Sequence, residues 1–153
     1  MVDQLRDAVT GLWEESFFHA SIRARLGVAR RELKPLSVAL LVPGLSPGRV
    51  DDTTQTARRM AFAMVRCLRE SDQACRLSAG RFGILFEGSD DRGAVRGIDR
   101  IIRVVGDAPS VWCGIASYPT HALDAVTLLE QADAALTSSL ASSVSTTSVA
   151  TPS

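Results

Sequence analysis

The chain has 153 residues, near the size at which a single domain buries roughly two-thirds of its unfolded surface. Its 17 basic and 17 acidic residues balance, which excludes the sustained positive field of a general nucleic-acid binder or a polybasic membrane protein. Because the chain shows no membrane-span run, no signal-peptide pattern and no cysteine or histidine metal motif, we expect a cytoplasmic protein without a cofactor, in which Cys67, Cys75 and Cys113 pack as small apolar residues.

The first half of the chain is predicted to form a helix, a strand and a second helix. Apolar residues recur at helical spacing over 14–33, and Pro35 ends that helix. The apolar run 37–42 predicts a buried strand, and the segment 45–49 is typical of a Pro/Gly loop. Asp51 or Asp52 is expected to cap the second helix. Its predicted inward stripe consists of Ala57, Met60, Ala61, Met64, Val65 and Leu68.

The second half is predicted to contain two strands, a helix, a strand and a final helix. Strands over 74–77 and 82–86 are joined by a tight hairpin turn in which Gly80 takes positive φ. A helix over 91–105 ends at Gly106, and a strand over 111–117 precedes an amphipathic helix over 122–136. From residue 37 onward this order is the split βαβ arrangement, which predicts a ferredoxin-like α/β sandwich with a mainly antiparallel central sheet and flanking helices.

The two ends are expected to differ from the rest of the domain, which covers 1–139. Residues 137–153 contain 11 serines and threonines and no charge, so we predict a disordered tail over 140–153. A helix over about 2–12 is expected at the other end. The apolar residues there either contact a partner or pack onto their own domain; they are Leu5, Val9, Leu12, Trp13 and Phe17.

Five stretches carry a resemblance that covers residues 7–136. They are Asp7-Ala-Val-Thr-Gly-Leu12, Pro35-Leu-Ser-Val-Ala-Leu-Leu-Val42, Arg69-Glu-Ser-Asp72, Gly114-Ile-Ala-Ser-Tyr-Pro119 and Leu128-Leu-Glu-Gln-Ala-Asp-Ala-Ala-Leu136. In order and spacing they resemble the GGDEF domain family, the diguanylate cyclases. The resemblance implies a nucleotidyl-cyclase-like fold and a chemistry that joins two GTP molecules into cyclic di-GMP, with magnesium ions held mainly by carboxylates.

The resemblance also implies that the catalytic residues are replaced. The family's metal-binding acids fall on Val42, Gly44 and Gly80, and its signature Gly-Gly-Asp-Glu-Phe falls on Ser78, Ala79, Gly80, Arg81 and Phe82. Its guanine-reading asparagine falls on Val50, the partner aspartate on Arg59, and a phosphate-contacting lysine near Ser139. A guanidinium beside a magnesium site is repulsive by roughly several kcal/mol. We therefore expect a degenerate domain, a pseudoenzyme without GTP cyclisation, in which Val42 and Phe82 pack in the core and Arg81 is a solvated turn residue.

A second family pattern is retained. Arg69 and Asp72 match the R-x-x-D of the family's inhibitory, product-binding site, and Arg100 matches a further arginine of that site. An arginine suits the O6 and N7 acceptors of guanine, and a carboxylate suits the N1 and N2 hydrogens. The same Arg69 and Asp72 are equally consistent with an exposed ion pair three residues apart, worth roughly 0–1 kcal/mol.

Three functions remain open on the sequence. The first is a signalling module that binds cyclic di-GMP through Arg69, Asp72 and Arg100. The alternative is a dimerisation or protein-interaction scaffold that needs no nucleotide. The third is an active cyclase, which the replaced carboxylates argue against. The expected partners are cyclic di-GMP, a second copy of the chain or another protein. Neither nucleic acid nor a membrane is expected as a partner.

Overall fold

The computed structural model describes residues 5–143 and 146–151, which form a six-stranded sheet covered by two helices on each face. In chain order the elements are α1 (Glu15–Glu32), β1 (Leu36–Ser46), β2 (Arg49–Val50), α2 (Thr54–Cys67), β3 (Gln73–Arg76), β4 (Phe82–Glu87), α3 (Asp91–Val105), β5 (Ser110–Tyr118), α4 (Ala125–Ser139) and β6 (Thr146–Val149). The strand order is β3-β4-β1-β5-β6, and β2 pairs with β1. All pairs are antiparallel except β5 with β6, which confirms the predicted α/β sandwich.

Alternate residues of β1 supply the two cores, because successive side chains of a strand point to opposite faces of the sheet. Leu40 and Val42 pack beneath α1 and α4, whereas Ala39 and Leu41 pack beneath α2 and α3. The side chains at the centre of the sheet are therefore buried on both faces, as the unbroken apolar run in the sequence predicts.

The helix bounds follow the capping residues. The predicted bounds of α3 are confirmed: Asp90 accepts a hydrogen bond from Gly93 N, and Gly106 follows the helix at a φ of 87°. Helix α4 begins three residues later than predicted, because Asp124 caps it by accepting a hydrogen bond from Thr127 N. It also continues to Ser139.

The segment between β1 and α2 differs from the prediction. The expected loop over 45–49 is largely strand, because β1 extends to Ser46 and turns back into β2. Neither Asp51 nor Asp52 caps α2; Thr53 does, with its side chain accepting from Thr56 N. Asp51 instead braces the cap by accepting from the Thr53 and Thr56 hydroxyls. Those hydrogen bonds lower the pKa of Asp51, the Thr56 hydroxyl contributing most.

The prediction of a disordered tail over 140–153 is wrong where the structure describes the tail. Thr146–Val149 form β6, which runs parallel to β5 in register from Trp112 to Ile115. Ala150 N continues the pairing by donating to Ile115 O at 2.8 Å. The composition of the tail does not predict this strand, because an edge strand is held by backbone hydrogen bonds. Its threonines and valine nevertheless suit a pleated surface. Residues 144, 145, 152 and 153 lie outside the described residues.

The helix predicted over about 2–12 is also wrong from residue 5 onward, residues 2–4 lying outside the described part. Asp7 accepts hydrogen bonds from both the backbone N and the hydroxyl of Thr10, and Asp7 N donates to Leu12 O at 2.6 Å. These local bonds, with Gly11 at a φ of 74°, compete with helical pairing and produce a tight turn. Leu12 is buried in the α2 and α3 core, and Trp13 stacks on Phe17 with ring centroids 4.0 Å apart.

Candidate functional site

The hairpin turn between β3 and β4 has little room for a side chain at Gly80. Ala79 and Gly80 have positive φ values of 59° and 72°, so the predicted conformation of Gly80 is confirmed. A Cβ at Gly80 would lie 2.6 Å from Val50 Cγ1 and 3.1 Å from Asp52 Cβ. The turn therefore rests directly on the segment that follows β1, and Ser78 completes it with an exposed hydroxyl 3.4 Å from a Glu15 carboxylate oxygen.

The neighbouring end of β1 carries no acid and is closed by packing. Val42 is buried opposite Trp112, and Phe82 is also buried, which confirms that both belong to the core. Gly44 lies against β2: a Cβ there would be 2.6 Å from Arg49 O and 3.2 Å from the Trp112 ring. A carboxylate at position 44 would displace the β2 backbone or the indole, and one at position 42 would be buried in the core.

Arg81 is fixed by an ion pair and is not the freely solvated turn residue that the sequence suggests. Its Nη2 lies 2.9 Å from Asp133 Oδ1 on α4, and its side chain is 35% exposed. Its Nε is buried and has no hydrogen-bond partner within 5–143 and 146–151. Asp133 was not predicted as a site residue, because no local sequence signal links positions 52 residues apart.

Acidic side chains beside the turn converge on a single arginine. Arg76 Nη1 lies 3.2 Å from Asp7 Oδ2, and its Nη2 lies 3.7 Å from Asp52 Oδ1. Burial opposes ionisation of Asp7, but the hydrogen bonds from Thr10 and the Arg76 guanidinium outweigh it and lower the pKa. This cluster is compensated by Arg76 rather than open for a cation.

The remaining positions of the resemblance are used for structure. Arg59 Nη1 donates to Ala108 O at 2.9 Å, which ties α2 to the loop before β5. Ser139 is buried, accepts from Cys113 N and donates to Thr146 O. Among the described residues, no three side chains of His, Cys, Asp or Glu are grouped so as to hold a metal ion. The donor set present does not fit a magnesium pair.

Arg69 and Asp72 form one closed turn after α2. Asp72 N donates to Arg69 O, and the Asp72 carboxylate accepts from Arg69 N at 2.9 Å and from the Arg69 guanidinium at 3.2 Å. The Asp72 side chain is only 3% exposed, whereas that of Arg69 is 55% exposed. Asp72 therefore faces inward and orients Arg69, and the guanidinium is the part of the motif that meets solvent.

A second set of contacts connects this turn to the end of β4. Arg69 Nη2 donates to Glu87 O and to Ser89 Oγ, both at 2.9 Å. Arg25 of α1 pairs with the Glu87 carboxylate and also donates to Ser71 O. Arg69 is thus held in place, while its Nη1 makes no hydrogen bond to any described residue.

Arg100 lies on the exposed side of α3 and takes no part in the hydrogen bonds that hold Arg69. The Arg69 guanidinium contacts Ser89, just before α3 begins. At the usual helical rise of about 1.5 Å per residue, Arg100 lies about 14 Å along the axis from the first residue of α3. We therefore expect a ligand that contacts both arginines to extend along α3.

The buried thiols and the buried imidazole have structural roles. Burial raises the pKa of Cys75 to about 12 and raises that of Cys113 further, so neither thiol is a ready nucleophile. Cys67 is half-buried and unpaired. His121 is buried and its Nδ1 accepts from Ser117 N at 2.8 Å; burial lowers its pKa, with the nearby charge of Asp91 opposing the shift.

Comparison with known proteins identifies the fold. No family model matches the sequence, and no curated protein matches it. Solved GGDEF domains do superimpose on it, so the architecture is that of the GGDEF, or diguanylate cyclase, fold. The GGDEF domain of PA1120 (TpbB or YfiN) from Pseudomonas aeruginosa is 24% identical with a TM-score of 0.83, covering 95% of this chain and 94% of that chain.

Two further similar structures were solved with a bound ligand or a bound protein. The GGDEF domain of DgcB from Caulobacter crescentus, solved in complex with c-di-GMP, is 18% identical with a TM-score of 0.79 over 96% of this chain and 93% of that one. The diguanylate cyclase SiaD from Pseudomonas aeruginosa, solved with its activator SiaC, is 20% identical with a TM-score of 0.82 over 95% of this chain and 62% of that one. Within the described residues, no helix is long and apolar enough to cross a membrane.

Proposed function

We propose that this chain is a degenerate GGDEF domain, a signalling module without diguanylate cyclase activity that binds cyclic di-GMP through the surface around Arg69. The observation that carries the first part is the contact of Val50 with Gly80 at the hairpin tip. In the family resemblance these two positions hold a guanine-reading asparagine and a metal-binding acid. Here they pack together, and neither side chain offers a donor or acceptor.

Electrostatics supports the absence of cyclisation. The transfer of a nucleotidyl group relies on positioning and on neutralising phosphate charge with metal ions. The positions aligned with the carboxylates are Val42, Gly44 and Gly80, and Arg81 adds a positive charge beside them. The nearby acids Asp7 and Asp52 are engaged by Arg76. Recruiting them for a cation would leave Arg76 without its partners.

The test of inactivity is incubation of the full chain with GTP and Mg²⁺ or Mn²⁺, followed by chromatographic analysis of products. A GGDEF-fold cyclase of known activity, run in parallel, is the positive control. We expect no cyclic di-GMP. Formation of cyclic di-GMP would refute the proposal. Loss of that product in an Arg76→Ala or Asp52→Asn variant would place the catalytic acids in the Arg76 cluster.

Cyclic di-GMP binding is supported by the exposure and orientation of Arg69. Asp72, Glu87 and Ser89 hold its guanidinium, so little side-chain entropy is lost when a ligand binds. The free Nη1 suits the guanine acceptors or a phosphate oxygen. Arg100 would contact the far end of the ligand. Asp72 acts here as a positioning residue, because its carboxylate is turned away from solvent.

Calorimetric titration with cyclic di-GMP tests this part separately. We expect binding by the unmodified chain, a loss of at least about tenfold in affinity for Arg69→Ala, and a smaller loss for Arg100→Ala. Arg31→Ala is the matched control, since Arg31 is an exposed arginine on α1. Heats no larger than dilution for the unmodified chain would refute binding while leaving the proposal of inactivity intact.

The alternative function is an interaction domain that needs no nucleotide. It is favoured by the way Arg69 and Asp72 are already used to join α2, β3 and β4. Under this alternative, Arg69→Ala lowers stability and changes no ligand affinity. Light scattering of the full chain with and without cyclic di-GMP distinguishes a nucleotide-independent dimer from a ligand-dependent one.

A further inference from the structure

We propose that the exposed face of α2 docks an acidic, amphipathic segment of a partner protein. The surface concerned, here called the α2 groove, lies between α2 and the N-terminal turn and has a volume of about 440 Å³. It is lined by Val9, Thr10, Arg58, Phe62, Val65 and Arg66. It contains no residue of the hairpin turn, and it adjoins the Arg69–Asp72 turn through Val65, which lines both surfaces.

The groove presents apolar side chains that the fold does not need. Phe62 is 63% exposed and Val65 is 67% exposed, although the sequence predicts that Val65 points inward. The buried stripe of α2 instead uses Ala57, Met60, Ala61 and Met64. Residues three apart on a helix share a face, so Phe62 and Val65 form one apolar patch. Covering an aromatic and a branched side chain would stabilise a complex, because apolar surface is removed from water.

The charges around the patch determine which partner fits. Helix α2 has no acidic residue, and Arg58 and Arg66 lie one turn before and one turn after Phe62. Neither arginine forms an ion pair with any residue in 5–143 or 146–151, and Arg66 lies over the Phe62 ring at 6.0 Å. The other arginine of the helix, Arg59, is turned away toward Ala108.

This arrangement favours a partner with carboxylates beside an apolar side chain. Complementary charge would guide the encounter, and the apolar contact would supply most of the affinity. A second copy of the same face is disfavoured because Arg58 and Arg66 would meet their own counterparts. A membrane surface is disfavoured because the groove presents a single aromatic side chain beside two valines, Val9 and Val65.

The test is selection of peptides from a random 16-residue display library on the full chain. We expect enrichment of sequences that combine Asp or Glu with Leu, Ile or Phe at helical spacing. Their affinity should fall at least about tenfold for Phe62→Ser and for the pair Arg58→Glu and Arg66→Glu, and it should weaken as salt rises. Leu123→Ser with Val126→Ser is the matched control, since both residues are exposed apolar positions away from α2. Circular dichroism and thermal melting check that each variant is folded.

Three outcomes would overturn the proposal. One is that selection on the unmodified chain enriches no peptides beyond those enriched on the Phe62→Ser variant. Another is selected peptides that carry no net negative charge or that bind Phe62→Ser as well as the unmodified chain. The third is that no selected peptide depends on Phe62 for binding, while the chain sediments with anionic vesicles or shifts a labelled oligonucleotide in a way that does depend on Phe62. The last result would assign the groove to a different class of partner.

Discussion

Arg81 in the hairpin turn and Asp133 in α4 form an ion pair with 2.9 Å between Nη2 and Oδ1. The pair joins two elements that have no other polar contact at this point among the described residues. It also holds a positive charge at the position that, by family resemblance, should carry an acid. Because the two side chains are 35% and 60% exposed, water screens the pair, and its contribution to stability should be small.

We predict a coupling energy of at most about 1 kcal/mol between Arg81→Met and Asp133→Asn, decreasing at high salt. Arg81→Met alone should be near neutral, because it also removes the buried Nε that has no partner in the described structure. Urea unfolding of the two single variants and the double variant measures the coupling. A value above about 2 kcal/mol would show that the pair is far better shielded than its exposure indicates.

The contact between Gly80 and Val50 predicts a specific rescue. Gly80→Ala should destabilise the domain by about 1–3 kcal/mol, because the residue has positive φ and the new Cβ would meet Val50. Val50→Ala in the same chain should recover part of this loss, since it removes the Cγ1 atom that is struck. Thermal unfolding of the single and double variants checks it, and equal losses with and without Val50→Ala would contradict the contact.

Ser139 is predicted to hold the edge strand β6 in place. Its hydroxyl accepts from Cys113 N and donates to Thr146 O, so Ser139→Ala removes the side-chain hydrogen bonds that connect α4 to both β5 and β6. Relative to the unmodified chain, we expect the free energy of unfolding to fall by about 1–3 kcal/mol. We also expect amide exchange to accelerate more at 146–149 than in β1. Ser138→Ala is the control, since its hydroxyl is exposed and bonds only within its own helix. Unchanged exchange in β6 would assign its stability to the backbone ladder alone.

His121 predicts a pH dependence with a defined sign. Burial lowers the folded pKa below the ordinary 6.5, so the unfolded chain binds a proton first as the pH falls. Stability is therefore complete above about pH 6.5 and decreases as the pH drops from there toward the folded pKa. His121→Asn, which offers an oxygen to Ser117 N but does not titrate, should show a smaller decrease. Urea midpoints measured between about pH 7.5 and 5.5 test this, and parallel curves for both proteins would refute it.

Much of the fold was predictable because periodicity and turn chemistry act locally. The bounds of α3, the hairpin turn and the positive φ of Gly80 follow from residues within a few positions of each other. The same local rules explain the failures. Thr53 displaced the two aspartates as the cap of α2, and the Asp7–Thr10 hydrogen bonds produced a turn where apolar residues suggested a helix.

The candidate site could be predicted only in part from local sequence patterns. That Arg69 and Asp72 lie together follows from their spacing, but the inward direction of Asp72 depends on the Arg69 backbone and the end of β4. The exposure of Val65 had no signal either, since apolar spacing alone placed it in the buried stripe of α2.

The sequence by itself determined the order of the elements from α1 to α4 apart from the short β2, the mainly antiparallel sheet and the absence of acids at 42, 44 and 80, because these depend on residue type and local spacing. Only the tertiary structure decided that Arg81 pairs with Asp133, that Val50 closes on Gly80 and that the uncharged tail becomes a strand on β5. Each of these contacts joins segments about 30 or more residues apart. Such partners are chosen by packing and by the hydrogen bonds that a sheet edge leaves open, and no local pattern records that choice.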